Sequence, residues 1–184
     1  MLNRWQLTHA SEVLLQGGLI AYPTESVYGL GCLPQAEGAL KRLLALKNRP
    51  AHKGLILLVS HIEQAAPFIQ PLTGSQQAQI NQPRARATTW LIPRKPHLSE
   101  LLCGHHQKLA VRVTTHPQAR ALCELVGTGL VSTSCNRSGK TELTSSSAVR
   151  NRMKEALDLI LTGRCGGQAP SQIIDLISGQ VIRS

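Results

Sequence analysis

The chain has 184 residues, 42% of them apolar and 16% charged, a balance that fits one folded domain over 1–184 and excludes intrinsic disorder, which combines low hydrophobicity with high charge. Twenty Lys and Arg against ten Asp and Glu leave a net charge of +10, which favours polyanions as partners, although a basic surface can also serve solubility alone. Aromatic side chains make up only 3%, too few for a platform that stacks single-stranded bases, so a structured RNA read through its backbone fits better.

In chain order, Thr8 to Gly18 reads as a helix with a capping residue and a Gly-Gly stop, and Leu19 to Pro23 as a strand. Gly38 to Lys47 sets Leu40, Leu43, Leu44 and Leu46 at helical spacing, and Pro50 follows shortly after. Gly54 to Ser60 is a short continuous apolar run, which suits a strand buried on both faces. Helices are expected around His61 to Ile69 and Gly74 to Asn81, a strand at Thr88 to Pro93, and a short helix near Leu98 to Cys103. Leu109 to Val113 and Leu130 to Ser134 read as strands, Pro117 to Val126 and Ala148 to Leu161 as helices, and Gln172 to Ile177 with Gln180 to Arg183 as a closing pair of strands. Interleaved strands and helices predict an α/β (α+β) fold on a mixed, twisted sheet, with a ligand site in loops beyond strand ends.

No phosphate-loop, dinucleotide-binding, zinc-protease or nucleophile-elbow motif occurs, and the only aspartates are Asp158 and Asp175, so a carboxylate-pair glycosidase is disfavoured. The five cysteines have neither C-x-x-C nor zinc-finger spacing, which predicts no protein metal site. Their odd number, with no apolar N-terminal stretch behind a basic region, points to reduced thiols in the cytosol rather than a secreted framework. The longest apolar run, 54–60, is far short of the roughly 18 residues of a membrane span.

Three polar clusters remain. Tyr22-Pro23-Thr24-Glu25 leaves a hydroxyl and a carboxylate in a loop, or forms a simple turn. Lys47-Asn48-Arg49-Pro50, followed by His52-Lys53, can converge on one anion, or merely complement a helix dipole. Residues 132–139, Ser-Thr-Ser-Cys-Asn-Arg-Ser-Gly, offer small donors that can cradle phosphate, or an ordinary turn. Arg112, a charge inside the alternation of Ala110 to Thr114, needs a partner or ligand unless it faces solvent.

Together with Ala21 to Glu25, the K-x-R-P stretch at 47–50, Lys53 to Ile56, Leu109 to Val113, the S-x-N of 134–136 and Ile173 to Asp175, these clusters make nearly the whole chain resemble the YrdC-type threonylcarbamoyl-AMP synthases. The resemblance implies a single twisted mixed sheet flanked by helices around a basic concave cavity. It also implies conversion of L-threonine, bicarbonate and ATP to threonylcarbamoyl-AMP and pyrophosphate. Proteins of the threonylcarbamoyl-transferase complex would then pass the product to an adenosine beside the tRNA anticodon. By position, Lys47, Arg49, Ser134, Asn136 and Arg183 correspond to the ATP side, with Lys47 and Arg49 carrying the catalysis. Thr24, Arg112, Ser132 and Ser171 correspond to the threonine side. Mg²⁺ is expected to arrive on the phosphates. In the family Trp-Pro-Gly-Pro commonly precedes the strand at 88–93, where this chain has Arg84-Ala85-Arg86-Ala87. The rival reading is a non-catalytic protein that binds double-stranded RNA or tRNA on the same fold. The synthase reading requires the loops near Lys47 and Ser132 to face each other across one hollow.

Overall fold

Asn3 opens the first helix, α1 (Arg4–Leu15), a turn earlier than Thr8 suggests, because its side-chain oxygen accepts the Gln6 N–H at 3.3 Å. The computed structural model describes residues 3–137 and 139–184, so Ser138 of the 132–139 cluster lies outside the described residues. After α1 come β1 (Ile20–Pro23), β2 (Tyr28–Cys32), α2 (Glu37–Lys47), β3 (Ile56–Val59), α3 (Gly74–Asn81), β4 (Thr88–Pro93), α4 (Glu100–Cys103) and β5 (Lys108–Val113). Then follow α5 (Pro117–Val126), β6 (Leu130–Ser134), α6 (Ser146–Met153), β7 (Leu159–Ile160), β8 (Gln172–Asp175) and β9 (Val181–Arg183).

Two expected helices are cut short, each for a tertiary reason. At 61–69 only a 3-10 turn forms, Ile62–Ala65. There the Gln64 side chain accepts the Ser60 N–H at 2.9 Å and donates to the Cys123 carbonyl at 2.8 Å, while Pro67 has no N–H to continue a helix. The helix expected to reach Leu161 stops at Met153, and 159–160 joins the sheet as β7. Asp158 accounts for this: it accepts the Leu19 N–H at 2.7 Å and both ends of the Arg42 guanidinium at 2.9 and 3.0 Å, which draws the chain alongside β1.

The sheet runs β7-β1-β2-β6-β3-β5-β4-β8-β9. The pairs β7/β1, β3/β5 and β4/β8 are parallel and the others antiparallel, so the sheet is mixed as expected. Side chains alternate between its faces. One face, including Tyr28, Leu30, Leu57, Val111 and Val131, packs under α2, α4 and α6 in the larger core. The opposite face buries Ile20, Tyr22, Leu58 and Leu130 under Leu7, Leu14, Leu122 and Cys123 of α1 and α5. Beyond those two helices this face is left open, and Ile56, Leu91, Ala110, Arg112, Ser132 and Ser134 line the resulting hollow.

Strand β2 has no clear strand signature because Gly29 and Gly31 occupy the face crossed by the Tyr22 ring. A Cβ at Gly31 would lie 2.6 Å from the Val131 oxygen and 2.7 Å from the Tyr22 ring. Gly31→Ala is therefore expected to cost about 1–3 kcal/mol, a fall of several degrees in thermal midpoint. At the other end of the sheet, Asp175 holds the β8–β9 turn by accepting the Ile177 and Ser178 N–H groups at 3.0 and 3.1 Å, and pairs with Lys108 of β5. The Lys108 ammonium holds the Asp175 carboxyl below the ordinary aspartate range. A depressed folded pKa contributes stability above the unfolded value and loses it as pH falls through the folded one. The difference in thermal midpoint between wild type and Asp175→Asn should thus be constant near neutrality and close on acidification; a gap that widens in acid would contradict this.

Candidate active site

The K-x-R geometry is set by a helix ending. Asn48 takes the left-handed conformation, φ 47° and ψ 46°, which Asn tolerates better than most residues, and its N–H and that of Arg49 close the last turn of α2 onto Ala45 and Leu44. Lys47 is the last residue of the helix, while Arg49 lies beyond it and turns toward the 53–54 segment. Lys47 is only 5% exposed, and its ammonium donates to the Ser134 carbonyl at 2.5 Å, to the Asn136 amide oxygen at 2.7 Å and to the Ser134 hydroxyl at 3.3 Å. The Ser134 hydroxyl also donates to Asn136 at 2.8 Å, and the Asn136 amide donates to the Lys140 carbonyl at 2.6 Å. The loops that begin near Lys47 and Ser132 therefore meet directly.

Arg49 lies beside this clamp and, among the described residues, bonds only carbonyls, Gly54 at 2.8 and 3.0 Å and Lys53 at 3.3 Å. Burial, and then the neighbouring Arg49 charge, pull the Lys47 ammonium below its ordinary value, and burial does the same to Arg49. A hollow of about 200 Å³ bordered by Lys47, Arg49, Lys53, Ser134 and Asn136 opens here. It adjoins a larger cavity of about 560 Å³ that shares Arg49, Lys53 and Ser134.

At the far end of that cavity, Arg112 reaches across the sheet face. Its Nε donates to the Thr89 hydroxyl at 3.0 Å and its Nη2 to the Ser171 hydroxyl at 2.6 Å. Arg183 donates from Nη2 to the Ser171 carbonyl at 2.8 Å. Burial lowers Arg112 from the ordinary arginine value, partly offset by the Glu25 charge. Glu25 itself is turned away from the cavity. Its Oε1 accepts the Thr114 hydroxyl at 2.6 Å and the N–H groups of Thr115 and His116 at 2.8 and 3.1 Å. Burial pushes this carboxyl up, but those bonds bring it below the ordinary range. Thr24 lines the cavity, with its hydroxyl proton already donated to the Val27 carbonyl at 2.7 Å.

Of the residues singled out from the sequence, Thr24, Arg49, Arg112, Ser132, Ser134, Ser171 and Arg183 line the larger cavity, and Lys47 and Asn136 line the smaller one beside it. Lys53 of the basic cluster lines both cavities, and Lys108 and Thr89 complete the polar surroundings without having been singled out. For Lys108 a signal existed: 108, 110 and 112 share one face of β5. The larger cavity is bordered by five cations, Arg49, Lys53, Lys108, Arg112 and Arg183, against one carboxylate, Glu142. Among the described residues no carboxylate lies in ion-pair range of Lys47, Arg49, Arg112 or Arg183. Lys47, Arg49 and Arg112, drawn out of water and held by neutral acceptors, form with the more exposed Arg183 a site for an incoming anion.

A family model described as "Telomere recombination", of the Sua5/yciO/yrdC type, matches residues 12–184. The threonylcarbamoyl-AMP synthase of Chromobacterium violaceum is 46% identical over 95% of this chain and 90% of its own. That of Pseudomonas entomophila is 41% identical over 100% of this chain and 99% of its own. Among solved structures, P. abyssi Sua5 complexed with L-threonine superposes with a TM-score of 0.88 at 27% identity, covering 98% of this chain and 54% of the longer Sua5 chain. E. coli YciO gives 0.83 at 25% identity over 100% of this chain and 91% of its own. With near full-length matches to two curated relatives and a family model spanning almost every residue, the chain belongs to the Sua5/YciO/YrdC family.

Proposed function

We propose that this protein is a threonylcarbamoyl-AMP synthase, a nucleotidyltransferase that joins L-threonine, bicarbonate and ATP into threonylcarbamoyl-AMP with release of pyrophosphate. The observation that carries this reading is the two-ended cavity: a cationic clamp at Lys47 and Arg49 at one end, an arginine suited to a carboxylate at the other, and open space between them. In this reading Lys47, Arg49, Ser134 and Asn136 take the triphosphate, while Arg112, Thr24, Ser132 and Ser171 take threonine. Arg183, on the Ser171 backbone, stands nearer the amino-acid end than the phosphate end.

The protein supplies no nucleophile. The threonine amine adds to bicarbonate to give a carbamate, with loss of water. A carbamate oxygen then attacks the α-phosphorus as the bond to pyrophosphate breaks. What the chain contributes is positioning and a fixed positive field, which needs little reorganisation because Lys47 and Arg112 are already bonded in place. Mg²⁺ carried in on the phosphates would offset their charge. Glu142 is the one carboxylate among the residues that border the cavity, so the protein could offer such an ion few ligands of its own there.

We take residues 1–184 as one domain working in the cytosol, in keeping with five unpaired cysteines and no helix among the described residues long and apolar enough to cross a membrane. Its product would pass to the threonylcarbamoyl-transferase proteins and thence to tRNA. The net charge of +10 favours direct RNA contact as well, and a non-catalytic binder of tRNA or double-stranded RNA is the second reading.

Incubation with ATP, threonine and bicarbonate should give threonylcarbamoyl-AMP by mass spectrometry; salt-sensitive RNA binding without that product would establish the second reading instead. Arg49→Ala is expected to lower threonine-dependent pyrophosphate release at least about 100-fold with a small change in thermal midpoint. Lys47→Ala should match that loss and also melt earlier, since it removes three hydrogen bonds that tie α2 to β6 and the loop beyond it; unchanged turnover would remove both from the site. Arg112→Lys is expected to raise the KM for threonine about tenfold with little effect on that for ATP, because an ammonium cannot span Thr89 and Ser171 as the planar fork does. Equal effects on both substrates would contradict the assignment of Arg112.

A further inference from the structure

Residues 84–89 contain neither proline nor glycine, yet the chain bends at Ala85 and Arg86 to enter β4 beside the cavity. It is held by bonds to the segment leading into β8. Arg86 Nε donates to the Pro170 carbonyl at 2.8 Å, the Gln172 N–H donates to the Ala87 carbonyl at 3.0 Å, and the Gln172 side chain donates to the Thr88 hydroxyl at 2.8 Å. The Pro170 carbonyl belongs to the peptide that leads into Ser171. On the other side of Ser171, its own carbonyl accepts Arg183 at 2.8 Å. Between these two fixed peptides, the Ser171 hydroxyl accepts from Arg112 and lies 2.9 Å from the Thr89 hydroxyl.

We propose that Arg86 is a positioning residue for the amino-acid end of the cavity: by holding the Pro170 carbonyl it fixes Ser171, and through Ser171 the aim of Arg112. This inference rests on the synthase reading above. Proline locks its own φ and leaves ψ as the soft dihedral ahead of the Ser171 peptide, and that is the angle the Arg86 bond fixes. Ser171 is 2% exposed, so its hydroxyl has no water to fall back on if its backbone turns. Arg112 bonds two hydroxyls, and displacement of one of them re-aims the whole guanidinium plane. Arg86 does not border the cavity, so it acts only through its neighbour. Arg84 in the same bend is a natural control. It lies 4.8 Å over the Trp90 ring, and among the described residues no hydrogen bond joins it to 168–172.

The test compares wild type, Arg86→Ala, Arg86→Met, Arg86→Lys and Arg84→Ala by threonylcarbamoyl-AMP formation with each substrate varied in turn. Arg86→Met keeps the aliphatic bulk and serves if the alanine variant does not fold. Both donor-less variants are expected to raise the KM for threonine about five- to tenfold, with kcat at saturating threonine and the KM for ATP within about twofold. Arg86→Lys, which retains a donor, should recover part of the loss, and Arg84→Ala should behave as wild type. A threonine KM unchanged in Arg86→Met, a parallel rise in the ATP KM, or the same shift in Arg84→Ala would each overturn the proposal while leaving the synthase reading intact. A wild-type protein that forms no adenylate would instead overturn the reading, and this inference with it.

Discussion

A lysine ammonium taken out of water stays charged only where acceptors replace its hydration, and Lys47 has three, two on Ser134 at the end of β6 and one on Asn136 just beyond it. This contact joins the end of α2 to the strand on which Ser132 and Ser134 stand, and so fixes the distance between the two polar loops. Because every acceptor is neutral, the bonds hold the charge in place without cancelling it. Arg49 adds a second uncompensated charge beside the first, and burial works against both. The protein alone therefore leaves this corner electrostatically unbalanced, and a polyphosphate is the kind of molecule that would balance it.

The larger frame is the alternation of the sheet. Because side chains point to opposite faces at successive positions, β5 and β6 can bury Leu109, Val111 and Val131 on one face while presenting Arg112, Ser132 and Ser134 on the other. The helices α1 and α5 cover only part of that second face. A continuous hydrophobic layer on one face thus supports a cavity floor on the other. The glycines of β2 belong to the same scheme: they keep its inner face low enough for the Tyr22 ring and for the Ser132 hydroxyl, which would stand 3.3 Å from a Cβ at Gly29.

Elements with a local cause were legible in the sequence. The helix of Pro117 to Val126, with Pro at its first turn, and the strands at 88–93 and 130–134 form at the expected bounds. So was the K-x-R ending of α2, where an Asn between two cations and a Pro just beyond gave a stop. What escaped had a distant cause. Strand β2 depends on a tyrosine of its neighbour, the early end of α6 on Asp158 meeting Arg42, and the short turn at 62–65 on Gln64 bonding Cys123. The same division holds at the site. Arg112 was visible as a charge inside an apolar alternation, whereas Thr89 became a site residue only because β4 lies beside β5, a pairing no local pattern encodes.

The acidic residues decide where the cations are free to act. The chain has only ten; Glu142 borders the cavity, and three others are engaged by structure: Glu25 by the entry to α5, Asp175 by the β8–β9 turn and Lys108, Asp158 by Arg42 and the Leu19 amide. Each of those three carboxylates holds backbone or a cation rather than Lys47, Arg49, Arg112 or Arg183. Had Glu25 pointed instead toward Arg112, the guanidinium would have been neutralised internally and a substrate carboxylate would have had to displace it. By placing that carboxylate on the Thr115 and His116 amides, the fold keeps its attraction for Arg112 at longer range, partly offsetting the effect of burial without occupying the fork. The positive charge this end presents is therefore governed as much by where the acids are engaged as by where the arginines stand.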